Sequence, residues 1–116
     1  LEVADGLFQT ETAQLLASSA FARRVDGIVF AAGDALGALA GVEWLRRFPL
    51  PVLAVSGLLT ASPLACREAV TATGLPVLTQ DQLARGQWRP ERDATEDGWP
   101  VCQFPRRDAI AASAYR

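Results

Sequence analysis

The chain has 116 residues, 50% hydrophobic and 21% charged, with a formal net charge of −2. That is one domain's worth of material, enough to bury a core. It has no His, and its 11 basic residues are all Arg, which excludes imidazole catalysis within the chain, lysine Schiff bases and the lysine of a phosphate-binding P-loop.

Leu1 to Asp5 (LEVAD) reads as a short strand, with Gly6 as punctuation. Thr10 is placed to cap a helix with apolar positions at Ala13, Leu16, Ala17 and Ala20, and Arg23 and Arg24 suit its C-terminus. Gly27 to Ala32 (GIVFAA) is an unbroken apolar run, β-branched and aromatic in part. It predicts a strand buried on both faces. Asp34 can cap a helix over 35–48 whose stripe is Ala38, Val42 and Leu45, with Pro49 and Pro51 stopping it. Gly37 and Gly41 would let this helix approach a sheet closely. Pro51 to Ser56 (PVLAVS) is the next strand. Ser62 and Pro63 form a cap followed by a first-turn proline, opening a helix that runs to about Thr73 and closes at Gly74. Leu75 to Thr79 (LPVLT) predicts a fourth strand, and Asp81 is placed to cap a short turn after it.

The pattern is β-α-β-α-β-α-β over residues 1–85. Helical connections of this length demand parallel neighbours, and helices on both faces of the sheet are expected. The fold class predicted is therefore α/β: a three-layer, doubly wound, mainly parallel sheet of about four strands. Residues 86–116 break the pattern. Pro90, Pro100 and Pro105 and the acidic Glu91, Asp93, Glu96 and Asp97 argue for an irregular arm, with a short terminal helix from Asp108. Trp88, Trp99 and Phe104 are costly to leave in water, so the arm is expected to dock on its own domain or on a partner.

In open parallel sheets, ligands bind outside the carboxyl ends of the strands. That rule selects Asp5 and Gly6, then Gly33 and Asp34, then Ser56, Gly57, Thr60 and Ser62, then Thr79 and Asp81. Carboxylates gathered there could hold Mg²⁺, a hard cation that takes oxygen ligands. The Thr60–Ser62 segment opens a helix whose N–H groups could receive an anion. Asp34 and Ser62 also fit ordinary N-caps, and Asp81 a cap or a solvated residue. Asp5 is the residue that capping would not require, which makes it the metal candidate.

No apolar run reaches the roughly 20 residues that span a bilayer, and no signal peptide opens the sequence. Met is absent, so the chain is expected to be a fragment of a larger protein. Cys66 and Cys102 cannot form a zinc site alone, and Cys66, set among Ala and Leu, reads as a small buried hydrophobe. A cytoplasmic setting is expected. Paired arginines at 23–24, 46–47 and 106–107 sit mostly at helix ends in an acidic chain, so neither nucleic acid nor membrane is an expected partner.

A strand ending in Asp-Gly, then DGIVFAAGD, PVLAVSGLLTASP and GLPVLT, resembles the second half of P-loop NTPases of the dethiobiotin-synthetase and MinD type, over roughly residues 1–80. The resemblance implies a nucleotide and Mg²⁺ as cofactors. Asp5 would match the acid near the metal, and Ser56 and Gly57 the start of the base-contacting loop. The motif GxxxxGK[ST] is absent, so the resemblance also implies a phosphate-binding half upstream of Leu1. The alternative reading is a non-catalytic α/β module that senses a small-molecule ligand or forms a homo-oligomer through the aromatic arm.

Overall fold

The computed structural model describes residues 1–86, and the predicted arm lies outside the described residues. Helix α1 (Thr10–Ala17) is followed by the short α2 (Ser19–Ala22), strand β1 (Ile28–Ala31) and helix α3 (Ala35–Leu45). Strand β2 (Val52–Ser56) leads through a 3-10 turn (Leu58–Ala61) to α4 (Pro63–Thr73) and then α5 (Gln80–Ala84). β1 and β2 pair in parallel, with an irregularity between Ile28 and Val29.

This corrects the predicted three-layer sheet of about four strands. Among the described residues the sheet has two strands. Leu1–Asp5 forms no strand and is exposed throughout. The 75–79 segment contributes one parallel bridge, Val55 to Val77. It is held by the Val55 N–H donating to the Pro76 carbonyl (2.9 Å) and the Leu78 N–H donating to the Val55 carbonyl (2.8 Å). Pro76 has no N–H to donate, which limits how far this segment can continue the ladder.

The layering differs from expectation for a topological reason. The parallel segments follow one another in space in chain order, with β2 between β1 and Val77. Successive crossovers in one direction and of one hand bring their helices to the same face of a sheet. Accordingly α3 and α4 pack together, and Ala38 and Val42 of the first meet Cys66 and Ala69 of the second in one core with Val55, Leu59 and Val77. GIVFAA was expected to be buried on both faces; instead Ile28 and Phe30 are half-buried while Val29 and Ala31 are exposed. Phe30 lies over Gly41 of α3, where any Cβ would meet its ring, so that glycine sets the close helix–sheet approach.

The N-terminal helix is broken after Ala17. Ser18 adopts extended backbone angles and its Oγ accepts from the Phe21 N–H (3.4 Å), so it caps α2 and ends α1. Thr10 is the first residue of α1 rather than its cap, and Gln9 precedes it without a side-chain cap bond. Phe8 stacks edge-on to Trp44 of α3, with ring centroids 5.5 Å apart. Edge-to-face aromatic pairs of this kind add about 0.5–1.5 kcal/mol beyond area burial.

Candidate functional site

The carboxyl ends of the three parallel segments are stitched together by Ser56. Its carbonyl accepts the Ala32 N–H at 2.9 Å, and its hydroxyl donates to the Leu78 carbonyl at 2.7 Å. Ser56 is buried, so that hydroxyl satisfies a carbonyl that would otherwise be costly to enclose. Gly33 and Asp34 therefore leave β1 on one side of Gly57, and Thr79 leaves the third segment on the other.

Gly57 makes the tightest turn. Its φ of 99° and ψ of −161° lie in a region that is essentially reserved for glycine. A Cβ there would lie 2.6 Å from the Ala32 carbonyl oxygen and 2.7 Å from the Ala32 nitrogen. The chain then turns so that the Leu59 N–H donates to the Ala32 carbonyl at 3.2 Å. Thr60 closes the turn, its hydroxyl donating to the Gly57 carbonyl at 2.7 Å.

Asp34 caps α3, one carboxylate oxygen accepting from the Gly37 N–H at 2.6 Å. Ser62 caps α4, accepting from the Ala65 N–H at 3.3 Å, with Pro63 in the first turn. At α5 the cap is Thr79 rather than Asp81. The Thr79 hydroxyl accepts from the Gln82 N–H, and the Gln82 side chain accepts from the Thr79 N–H, a reciprocal capping box. Asp81 instead pairs with Arg85 at 3.0 Å on the surface.

The fold thus brings Gly33, Asp34, Ser56, Gly57, Thr60, Ser62 and Thr79 to one edge. Asp5 is not delivered by a strand, since Leu1–Gly6 is irregular, and it is exposed. Among the described residues, no group of three or more His, Cys, Asp or Glu side chains could hold a metal ion. Of the carboxylates predicted for this edge, Asp34 accepts the Gly37 N–H and Asp81 pairs with Arg85. Among the described residues no helix is long and apolar enough to cross a membrane.

One feature of this edge escaped the sequence reading. Leu36, Leu58 and Leu64 are 76%, 83% and 57% exposed. Leu58 follows the end of β2 just after Gly57, and Leu36 and Leu64 lie in the first turns of α3 and α4. The signal was present in the helical stripes: Leu36 precedes buried Ala38 by two positions, and Leu64 precedes buried Cys66 by two. A two-residue offset is about 200° around a helix, which puts both leucines on the side away from the core.

No family model, curated protein or solved structure matches this chain.

Proposed function

We propose that this chain is part of a nucleotide-binding α/β protein, its carboxyl edge contacting the small-molecule ligand and its phosphate-binding segment lying upstream of Leu1. The observation that supports this reading is the joining of three parallel chain ends through Ser56, which sets Gly33–Asp34, Gly57–Ser62 and Thr79 side by side. Ligands of parallel sheets enter at such edges. Mg²⁺ held near Asp5 belongs to the same proposal. A cytoplasmic setting belongs to the same proposal and rests on the chain's sparse cysteine content.

The test is titration with nucleoside triphosphates, followed by amide chemical shifts, of this chain and of a version extended upstream in its reading frame. Shifts confined to the amides of Gly33, Asp34, Gly57, Leu58 and Thr60 are expected. Failure of both versions to bind, or shifts that map elsewhere, would overturn the reading.

A second reading, a non-catalytic α/β module for ligand sensing or self-assembly, is favoured by a different observation. Asp34, Ser56, Thr60 and Ser62 are all engaged in caps and turns. Their hydrogen bonds account for their presence without any chemistry. Light scattering of the intact chain and of a chain ending at Arg85 separates the two readings: a change in oligomeric state supports assembly, and no change removes it.

A further inference from the structure

We propose that β1 is an interface for a second copy of this chain, the two β1 strands pairing antiparallel across a two-fold axis centred on Val29. Among the described residues β1 lies at the margin of its sheet, with β2 on one side. The Ile28 N–H donates to the Pro51 carbonyl at 2.8 Å and the Ala32 N–H to the Ser56 carbonyl at 2.9 Å, so the even-numbered residues turn their backbone groups to β2. The extra residue of the register irregularity, Leu53, is in β2, and β1 keeps its alternation. Gly27, Val29 and Ala31 therefore aim their N–H and carbonyl groups at the open side. There, among the described residues, none of the three has a backbone partner. Val29 is 39% exposed, and Ala31 is exposed as well. Proteins blunt such edges with proline, lysine or other charges, and GIVFAA contains none of these.

Self-complementarity selects the occupant. Antiparallel pairing about Val29 sets Val29 opposite its own copy and Gly27 opposite Ala31, so every outward backbone group of the run meets a complement at a hydrogen-bonded position. Sliding the strands by two residues would set either Gly27 or Ala31 against a residue outside the apolar run. The charges agree. Arg23, Arg24 and Asp26 precede β1 and Asp34 follows it, all of them exposed. Counting outward from Val29 brings Arg24 of one chain level with Asp34 of the other, twice by symmetry, whereas a parallel partner would set like beside like. The pairing also joins two two-stranded sheets into one of ordinary width. The inference rests on neither functional reading, because it concerns the margin of the sheet and not the carboxyl ends of its strands or residues 86–116.

Sedimentation velocity of the intact chain, at concentrations up to about 100 μM, is expected to show a monomer–dimer equilibrium, since a contact of this size falls in the weak class of interfaces. Val29→Lys sets like charges face to face on the axis and should weaken the dimer at least about tenfold. Leu58→Lys, the same change of charge at a position 83% exposed, should leave the dimer unchanged. Circular dichroism checks that both variants fold. A second measurement applies even where Val29→Lys does not. In a Cys102→Ala background, with Cys66 fully buried, Val29→Cys should close an intermolecular disulfide at least about tenfold faster than Leu58→Cys under mild oxidation. Hydrogen-bonded antiparallel neighbours have Cα atoms about 5.5 Å apart, within disulfide range. A monomer at every concentration would overturn the proposal and leave the edge to another part of the chain or to another protein. A dimer that Val29→Lys leaves intact, or equal disulfide rates at the two positions, would overturn it as well.

Discussion

Replacing Gly57 with Ala tests the junction on which the edge depends. Two effects act in the same direction. Alanine at φ 99° and ψ −161° adopts a conformation costing about 1–3 kcal/mol. Its Cβ would also meet the Ala32 backbone at 2.6 and 2.7 Å, and backbone cannot rotate aside as a side-chain tip can. Relief requires β1 and the Leu58–Ala61 turn to part. That lengthens the Leu59-to-Ala32 hydrogen bond, itself worth about 1 kcal/mol. The sum is about 2–4 kcal/mol, a large share of the roughly 5–15 kcal/mol that holds a domain folded.

Gly74→Ala supplies the comparison. Gly74 also has positive φ, at 70°, but its ψ of 15° places it in the left-handed helical region, and a Cβ there meets nothing within 4 Å. Conformational cost alone, about 1–2 kcal/mol, should apply. Urea unfolding of both variants, followed by far-ultraviolet circular dichroism, is the assay, with similar m-values as the check that both unfold from the same native state. Gly57→Ala should be the more destabilised by at least about 1 kcal/mol, the lost hydrogen bond alone accounting for that much. If the two lose the same stability, the contact between Gly57 and Ala32 is not what shapes this edge, and the site built on it fails.

Ser56→Ala should cost about 1–2 kcal/mol in the same urea assay, because it leaves the Leu78 carbonyl without its buried donor; a neutral result would refute the stitching role. Arg46→Ala should cost more than Arg85→Ala. Arg46 pairs with Glu43 and also donates to the Thr73 carbonyl at 3.0 Å, tying the end of α3 to the end of α4, whereas among the described residues Arg85 makes an exposed pair with Asp81, worth about 0.5 kcal/mol or less. Equal losses would show that the tie between the helices contributes nothing. Cys66, fully buried with its thiol donating to the Leu59 carbonyl at 3.7 Å, should resist alkylation in the native protein and react on unfolding, as read by mass spectrometry of digested protein. Rapid native labelling would show that the α3–α4 core opens readily.

Local signals in the sequence were read well where a single residue type dictates geometry. Ser62-Pro63 and Gly74 bound α4 at the places expected, with Gly74 in the left-handed conformation. Asp34 caps α3 as expected, although that helix stops at Leu45, short of Phe48. Burial of Cys66 followed from its apolar neighbours. Misreadings arose where pairing partners decide. LEVAD alternates like a strand but has no neighbour among the described residues, and strand propensity without a partner has little force. LPVLT has a neighbour but reduces to one bridge, beside a proline. At α5 two caps competed, Thr79 and Asp81; Thr79 prevailed because Gln82, three residues on, returns the hydrogen bond. The number of layers was illegible because it depends on strand order, which no local pattern encodes. An apolar strand is consistent with one covered face or two, and only the packing of α3 on α4 decides between them.

The hydrogen bonds at this edge also decide how it can hold a ligand. Asp34, Ser62 and Thr79 have their side chains turned to cap bonds, Ser56 is buried under Leu78, and Thr60 points its proton at Gly57. Direct recognition by side chains is thereby reduced, and because the Gly37, Leu59 and Thr60 N–H groups already donate within the fold, what the proposed site retains is main chain at Ala35, Leu36 and Leu58, ahead of the first helical carbonyls. A ligand held in that way would be insensitive to most side-chain truncations and sensitive to backbone displacement. Gly57→Ala should then weaken nucleotide binding more than Asp34→Asn does at matched folded fraction, with both followed by the amide shifts of Gly33 and Leu58. If Asp34→Asn abolishes binding while Gly57→Ala leaves it intact, recognition resides in the carboxylate and the backbone account of this edge is wrong.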